Sequence, residues 1–288
     1  MIYAIIGPTA SKKSDLAHKI AAFHGAQLLN CDAYQVYIEM NKGTAKPTNQ
    51  FLQENPNYHL YNFRHINEPY SVFEYQQDAR KLLEKYKNEN IVIVGGTGLY
   101  LKALLYDYKF LKEEKMPDDF LNNLSNKELY ENLYAIDKED ALKIGKNNRK
   151  RLLRALFVYE CHKKNKTDLN ENGKDTLLYN NVVFIGLNPN REQLYKNINK
   201  RVDKMIADGL KEEVFELKEK YPVVNQALQA IGYKEFFLGL DDEDAIELIK
   251  KNTRNYAKRQ LTFFKHQFND VVWFENIEEA YDYAKAKY

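Results

Sequence analysis

Short apolar runs alternate with stretches of helical periodicity along most of the chain. Ile2-Tyr-Ala-Ile-Ile6, Ile91-Val-Ile-Val94 and the runs at 27–31, 182–187 and 271–274 are too short for helices and are expected to be strands. Between them, apolar positions recur at helical spacing. The stretch 13–24 carries Leu16, Ala17, Ile20, Ala21 and Phe23 on one face, and the segment after Gly98 carries Leu99, Leu101 and Leu104. The stretches 72–87, 191–208, 210–220 and 242–266 also read as helices. Strands alternating with helices imply a parallel sheet covered by helices, with ligands bound beyond the strand C-termini.

The pattern changes near residue 111. From there to about 181 the chain is polar, rich in Lys, Asn, Glu and Leu, and lacks strong strand runs. Met116-Pro117-Asp118-Asp119 reads as a helix start, and 147–162 as a basic amphipathic helix. The expected fold is therefore α/β: a P-loop-type parallel sheet core flanked by helices (1–110 and 182–288), with a mostly helical insertion domain (111–181).

Gly7-Pro-Thr-Ala-Ser-Lys-Lys-Ser14 joins the first strand to the first helix and follows the phosphate-loop form G-x-x-x-x-G-K-[ST] at Gly7, Lys13 and Ser14. Backbone N–H groups at such a helix start face an anion, Lys13 adds a point charge, and the Ser14 hydroxyl can hold Mg2+. Lys12 stands where the form has its second glycine. A side chain there costs about 1–3 kcal/mol if φ is positive, partly offset by its charge. Asp32 follows the second strand, at the same sheet edge, as a candidate metal ligand or proton acceptor, or a helix N-cap.

Composition narrows the class. The chain has 288 residues, 44% hydrophobic and 29% charged, and no apolar run approaches the roughly 20 residues that span a bilayer. Two widely separated cysteines, Cys31 and Cys161, argue against a disulfide framework or a cysteine zinc site, and so for a cytoplasmic setting. Net charge is only +2, but basic residues cluster at 143–166 and 250–266, which suits a polyanion partner or two solvated helix faces.

Taken in order, several segments resemble the bacterial tRNA dimethylallyltransferases: the loop Gly7–Ser14, Asp32-x-x-Gln-x-Tyr37, Gly43-Thr-Ala-Lys-Pro47 and Gly95-Gly-Thr-Gly-Leu-Tyr100. Arg151-Leu-Leu-Arg-Ala-Leu156, Arg201-Val-Asp-x-Met205, Gln229-Ala-Ile-Gly-Tyr-Lys-Glu235 and Thr253-Arg-Asn-Tyr-Ala-Lys-Arg-Gln260 continue the series. The resemblance implies transfer of a dimethylallyl group from dimethylallyl diphosphate to the exocyclic amine of the adenine 3′-adjacent to the anticodon. Gly7, Pro8, Thr9, Ala10, Ser11, Lys12, Lys13 and Ser14 would hold the diphosphate, through the N–H groups from Thr9 to Ser14, Lys13 and Mg2+ near Ser14. Asp32 would take the amine proton, Thr97 would lie near the bridging oxygen, and Arg201 would bind the diphosphate. The tRNA anticodon stem-loop would meet Asp32, Ala33, Tyr34 and Gln35; Lys150, Arg151, Leu152, Leu153 and Arg154; Gln229, Ala230, Ile231, Gly232, Tyr233 and Lys234; and Lys258, Arg259, Gln260, Leu261, Thr262, Phe263, Phe264 and Lys265. Phe263 and Phe264 could stack on bases, although aromatic residues at this spacing more often pack a core. His59 is expected to shape a loop. The expected protein is a monomer without a membrane partner. The alternatives are an adenylate isopentenyltransferase, a small-molecule kinase using the same loop, or an RNA-binding remnant whose loop Lys12 has spoiled.

Overall fold

A computed structural model of the chain describes residues 1–110, 116–117, 119–164, 176–221 and 227–287. The expected domain boundary at 111, Asp118 of the expected helix start and Lys166 of the first basic cluster lie outside them. Two compact units are present, one made of Met1–Leu105 with Tyr179–Tyr288, the other of Tyr106–Leu178.

The first unit is built on β1 (Ile2–Ile6), β2 (Gln27–Asn30), β3 (Tyr58–His59), β4 (Ile91–Val94), β5 (Val182–Leu187) and β6 (Val272–Phe274). All pairings are parallel, in the order β3-β2-β4-β1-β5-β6. Ile5 is opposite Val94 on one side and Ile185 on the other. β1 is buried along its whole length, which is why its sequence is continuously apolar rather than alternating. After β4 the chain crosses from one side of β1 to the other. This reversal opens a crevice at the C-terminal ends of β1, β4 and β5, the place where such sheets bind ligands.

The helices of this unit are α1 (Lys13–His24), α2 (Asn49–Glu54), α3 (Val72–Lys85), α4 (Gly98–Leu105) and, after the insertion, α8 (Arg191–Ala207), α9 (Leu210–Lys220), α10 (Asp242–Gln267) and α11 (Ile277–Lys285). α1 and α11 share one cluster, in which Ala280 and Ala284 join Leu16, Ala17 and Ile20. The α/β expectation holds. β3, α2 and α11 were not expected: β3 is two residues long, and the buried stripe of α11 consists of alanines. His59 lies in edge strand β3, not in a loop, with Nε2 2.7 Å from Gln27 Oε1.

The second unit contains α5 (Asn126–Ile136), α6 (Lys138–Ile144) and α7 (Arg149–His162), packed through Leu129, Leu133, Ala141, Leu152, Ala155 and Leu156. No helix starts at Asp119; turns run to 123, and α5 begins after Ser125. Ser125 and Glu128 form a reciprocal capping box that satisfies two helix-end donors, an advantage Asp119 lacks. Arg149 then fixes the preceding turns by donating to the carbonyls of Leu121, Asn122 and Leu124.

Candidate active site

The phosphate loop leaves the C-terminal end of β1. Gly7 has φ +152°, and a Cβ there would come within 2.8 Å of the Leu187 carbonyl oxygen, so both backbone and neighbours require glycine. Ala10 and Lys12 take left-handed φ values of 60° and 65°. Alternating left-handed residues turn successive N–H groups inward and form a nest for an anion. The sequence's open question about Lys12 is thereby answered for the backbone: its φ is positive, and strain of about 1–3 kcal/mol is held at the entry to α1. Lys12 also makes no side-chain cap to α1, which leaves the positive helix end for a ligand. Ser11 is buried, and its Oγ has no hydrogen-bond partner. A buried hydroxyl left unpaired in a phosphate loop fits an anion that completes it.

Asp32 lies just past β2 and caps no helix; its Oδ1 accepts the Tyr34 N–H at 3.0 Å in a local turn. The neighbouring strand β4 opens onto Gly95-Gly-Thr-Gly98. A Cβ on Gly95 would overlap the Cys31 backbone, one on Gly96 the Gln260 side chain, and one on Gly98 the Phe263 ring. These glycines let the turn press against the Asp32 loop and α10 together. Thr97 Oγ1 accepts the Ala33 N–H at 3.0 Å, and Thr97 N–H donates to the Cys31 carbonyl at 3.2 Å.

Thr9, Asp32, Tyr34, Thr44, Arg201, Tyr256 and Arg259 line one cavity of about 310 Å³, together with the 229–234 turn. Lys13 feels both Arg201 and Asp32: burial, then repulsion from Arg201, lowers its ammonium to about 8, while Asp32 pulls it back up. Burial likewise lowers the Arg201 guanidinium, opposed by Asp32. Arg201 donates to the Thr44 carbonyl at 3.3 Å, an oxygen that Gln35 Nε2 also reaches at 3.1 Å. Two cations and one carboxylate thus share a crevice, with the cations underpaired. Such a site favours a multiply charged anion beside a group that can take a proton.

A family model described as IPP transferase matches residues 35–267. The tRNA dimethylallyltransferase of Anoxybacillus flavithermus is 40% identical over 97% of this chain and 91% of its own length. That of Staphylococcus carnosus is 38% identical over 97% and 92%. The chain belongs to the IPP transferase family. Among solved structures, the tRNA isopentenylpyrophosphate transferase of Staphylococcus epidermidis superposes with TM-score 0.71 at 34% identity, covering 99% of this chain and 97% of that one. A eukaryotic dimethylallyltransferase acting on tRNA gives TM-score 0.81 at 26% identity, covering 99% and 76%.

Set in this family, the residues expected at the site fall into two groups. Gly7, Ser11, Lys13, Ser14, Asp32, Thr97 and Arg201 belong to the crevice or the loops that frame it. Thr9 departs from expectation: its N–H donates to Gln260 Oε1 at 2.8 Å and does not point into the anion nest. Gln260 itself is buried between loops. Leu152, Leu153 and Phe264 are buried as well, and Ala230 and Tyr233, though buried, belong to the turn that lines the cavity. Phe264 meets Phe263 and Phe268, and Tyr233 packs under Gly43 while donating to Glu213 at 2.7 Å. Lys150, Arg151, Arg154, Gln229, Lys258, Arg259, Thr262 and Lys265 are exposed.

Sequence reasoning missed Glu213 and Glu235. Glu213 accepts the N–H groups of Asn41 and Lys42, pinning the 41–47 loop. Glu235 is fully buried and accepts from Gly232 N–H at 2.8 Å and Asn252 Nδ2 at 2.7 Å, fixing the turn that lines the cavity. The Glu ending Gln229-Ala-Ile-Gly-Tyr-Lys-Glu235 was the available signal for the second. Among the described residues no trio of His, Cys, Asp or Glu forms a metal site.

Proposed function

We propose that this protein is a tRNA dimethylallyltransferase: it alkylates the exocyclic amine of the adenine 3′-adjacent to the anticodon, using dimethylallyl diphosphate, and yields N6-isopentenyladenosine. One observation carries the reading. Asp32 lines the same cavity as Thr9 of the phosphate loop and Arg201, and acts electrostatically on Lys13.

The phosphate loop, Lys13 and Arg201 bind the diphosphate and hold the allylic carbon toward the cavity. The adenine, extruded from its stack, enters beside Tyr34 and Asp32. Its amine nitrogen bonds to the allylic carbon as the carbon–oxygen bond breaks, and the diphosphate leaves with the electron pair. Asp32 accepts the proton that the amine then carries. Adenine's amine is a weak nucleophile, so position and proton removal supply most of the acceleration. Charge growing on the leaving group meets the N–H nest, Lys13 and Arg201, which are in place beforehand. Mg2+ is compatible with the oxygens present: Ser14 exposes a hydroxyl at the first turn of α1, and Mg2+ commonly takes few protein ligands plus phosphate oxygens. When bound there it would neutralise diphosphate charge. Exposed Lys150, Arg151, Lys258, Arg259 and Lys265 supply phosphate contacts for RNA.

Incubation with an anticodon stem-loop, dimethylallyl diphosphate and Mg2+, followed by mass analysis of the nucleosides, tests the reading. The expected product is the adenine heavier by one dimethylallyl group. Asp32→Ala is expected to lower turnover by about 10²–10⁴-fold while stem-loop affinity stays within a few-fold. Binding of the stem-loop by the wild type without any alkylated nucleoside would overturn the proposal.

A further inference from the structure

Gln260 stands in the α10 segment that the family resemblance assigns to RNA, yet only 5% of it is exposed. Its amide points inward. Oε1 accepts the Thr9 N–H at 2.8 Å, and Nε2 donates to the Gly96 carbonyl at 2.9 Å. Thr9 is part of the phosphate loop. Gly96 precedes Thr97, whose Oγ1 holds the Ala33 N–H at 3.0 Å, next to Asp32. A single side chain therefore links the loop that would hold the leaving group to the turn that supports the proton acceptor. A Cβ on Gly96 would run into Gln260 Nε2, so the glycine and the glutamine are matched.

We infer that Gln260 is a positioning residue that fixes the phosphate loop against the Gly95–Gly98 turn, and that it does not contact RNA. What the tether serves rests on the proposed function; the tether itself does not. The chemistry explains the residue type. Only a carboxamide of this length offers a donor and an acceptor side by side at its tip. A glutamate would set its charge against the Gly96 carbonyl and beside the bound anion. A methionine fills the space but leaves a half-buried N–H and a buried carbonyl unpaired.

The experiment uses the full chain with four variants, Gln260→Met, Gln260→Ala, Gly96→Ala, and Gly96→Ala combined with Gln260→Ala. Inorganic pyrophosphate affinity is measured by calorimetry, stem-loop affinity by fluorescence anisotropy, and kcat and KM for each substrate separately. Gln260→Met is expected to weaken pyrophosphate binding and lower kcat, each by about tenfold or more, because small displacements at a reacting centre are costly. Stem-loop affinity is expected to stay within about twofold, as for a residue without a phosphate contact. Gly96→Ala keeps the glutamine but displaces its amide, and is expected to reproduce the pyrophosphate loss. In the Gln260→Ala background it is expected to add nothing further. A fall in stem-loop affinity with pyrophosphate binding unchanged would make Gln260 an RNA contact and overturn the inference. Unchanged pyrophosphate binding in all three single variants, or additive losses in the double variant, would overturn it too. If the wild type alkylates no RNA, the functional reading fails, and the pyrophosphate affinities still decide the tether.

Discussion

Lys12 and Lys13 are neighbours under different constraints. Lys12 carries backbone strain: its φ of 65° suits glycine. Lys12→Gly relieves that strain, but the glycine gains freedom in the unfolded chain, so the two effects partly cancel. The expected gain in stability is up to about 2 kcal/mol in urea unfolding, with a few-fold loss of pyrophosphate affinity from the missing charge. Lys13 carries an electrostatic constraint, with its ammonium lowered to about 8 by burial and Arg201. A bound diphosphate favours the protonated form, so binding takes up a proton once the free site has lost it. Pyrophosphate affinity contributed by Lys13 is therefore flat below about pH 8 and falls by up to about tenfold per pH unit above it. Calorimetry in buffers of different ionisation heat should register proton uptake near and above that pH. An affinity independent of pH from 7 to 9.5 would contradict the assignment.

At the scale of elements, the glycines after β4 decide how closely strand, turn and helix approach. A Cβ on Gly95 would overlap the backbone of Cys31, which cannot swing aside as a flexible side chain would. Gly95→Ala is therefore expected to destabilise the first unit by about 3 kcal/mol or more, read as a loss of the urea midpoint or of soluble protein. Ser125→Ala removes a capping box and should cost about 1 kcal/mol. These elements also show what sequence could reveal. β1 and β4 were legible because strands buried on both faces are apolar at every position, and β5 because four of its six residues are buried. The phosphate loop and Asp32 were legible because anion nests and proton acceptors use few residue types in characteristic places. The start of α5 was misplaced: Met116-Pro117 looked like a beginning, while the capping box at Ser125 actually sets it. The hydrogen bond of Gln260 to Thr9, 251 residues away, was not legible, because no local pattern records that partner.

For the molecule as a whole, a net charge of +2 conceals a sorted distribution. Lys251, Lys258 and Lys265 repeat along the exposed stripe of α10, and Lys150 and Arg151 are exposed at the start of α7. Several other basic residues are engaged within the fold: Lys250 with Asp203 and Glu247, and Arg254 with Asn199. Charge alone therefore overstates the RNA surface, and exposure selects within it. Lys258→Ala is expected to reduce the slope of log affinity against log salt for stem-loop binding by about 1, with turnover at saturating RNA preserved. Among the described residues no helix is long and apolar enough to cross a membrane.

The central position of β1 has a consequence for the order in which the protein can be made. Ile5 borders Ile185, so the strand that carries the phosphate loop lacks one flank until β5 has been translated. The insertion, by contrast, closes its own small core from α5, α6 and α7 and is complete earlier. Nascent chains arrested shortly before β5 leaves the ribosome should thus hold a protease-resistant helical unit beside an open, cleavable sheet. Catalytic competence would arrive late in synthesis, after the domain inserted between its two halves has already folded.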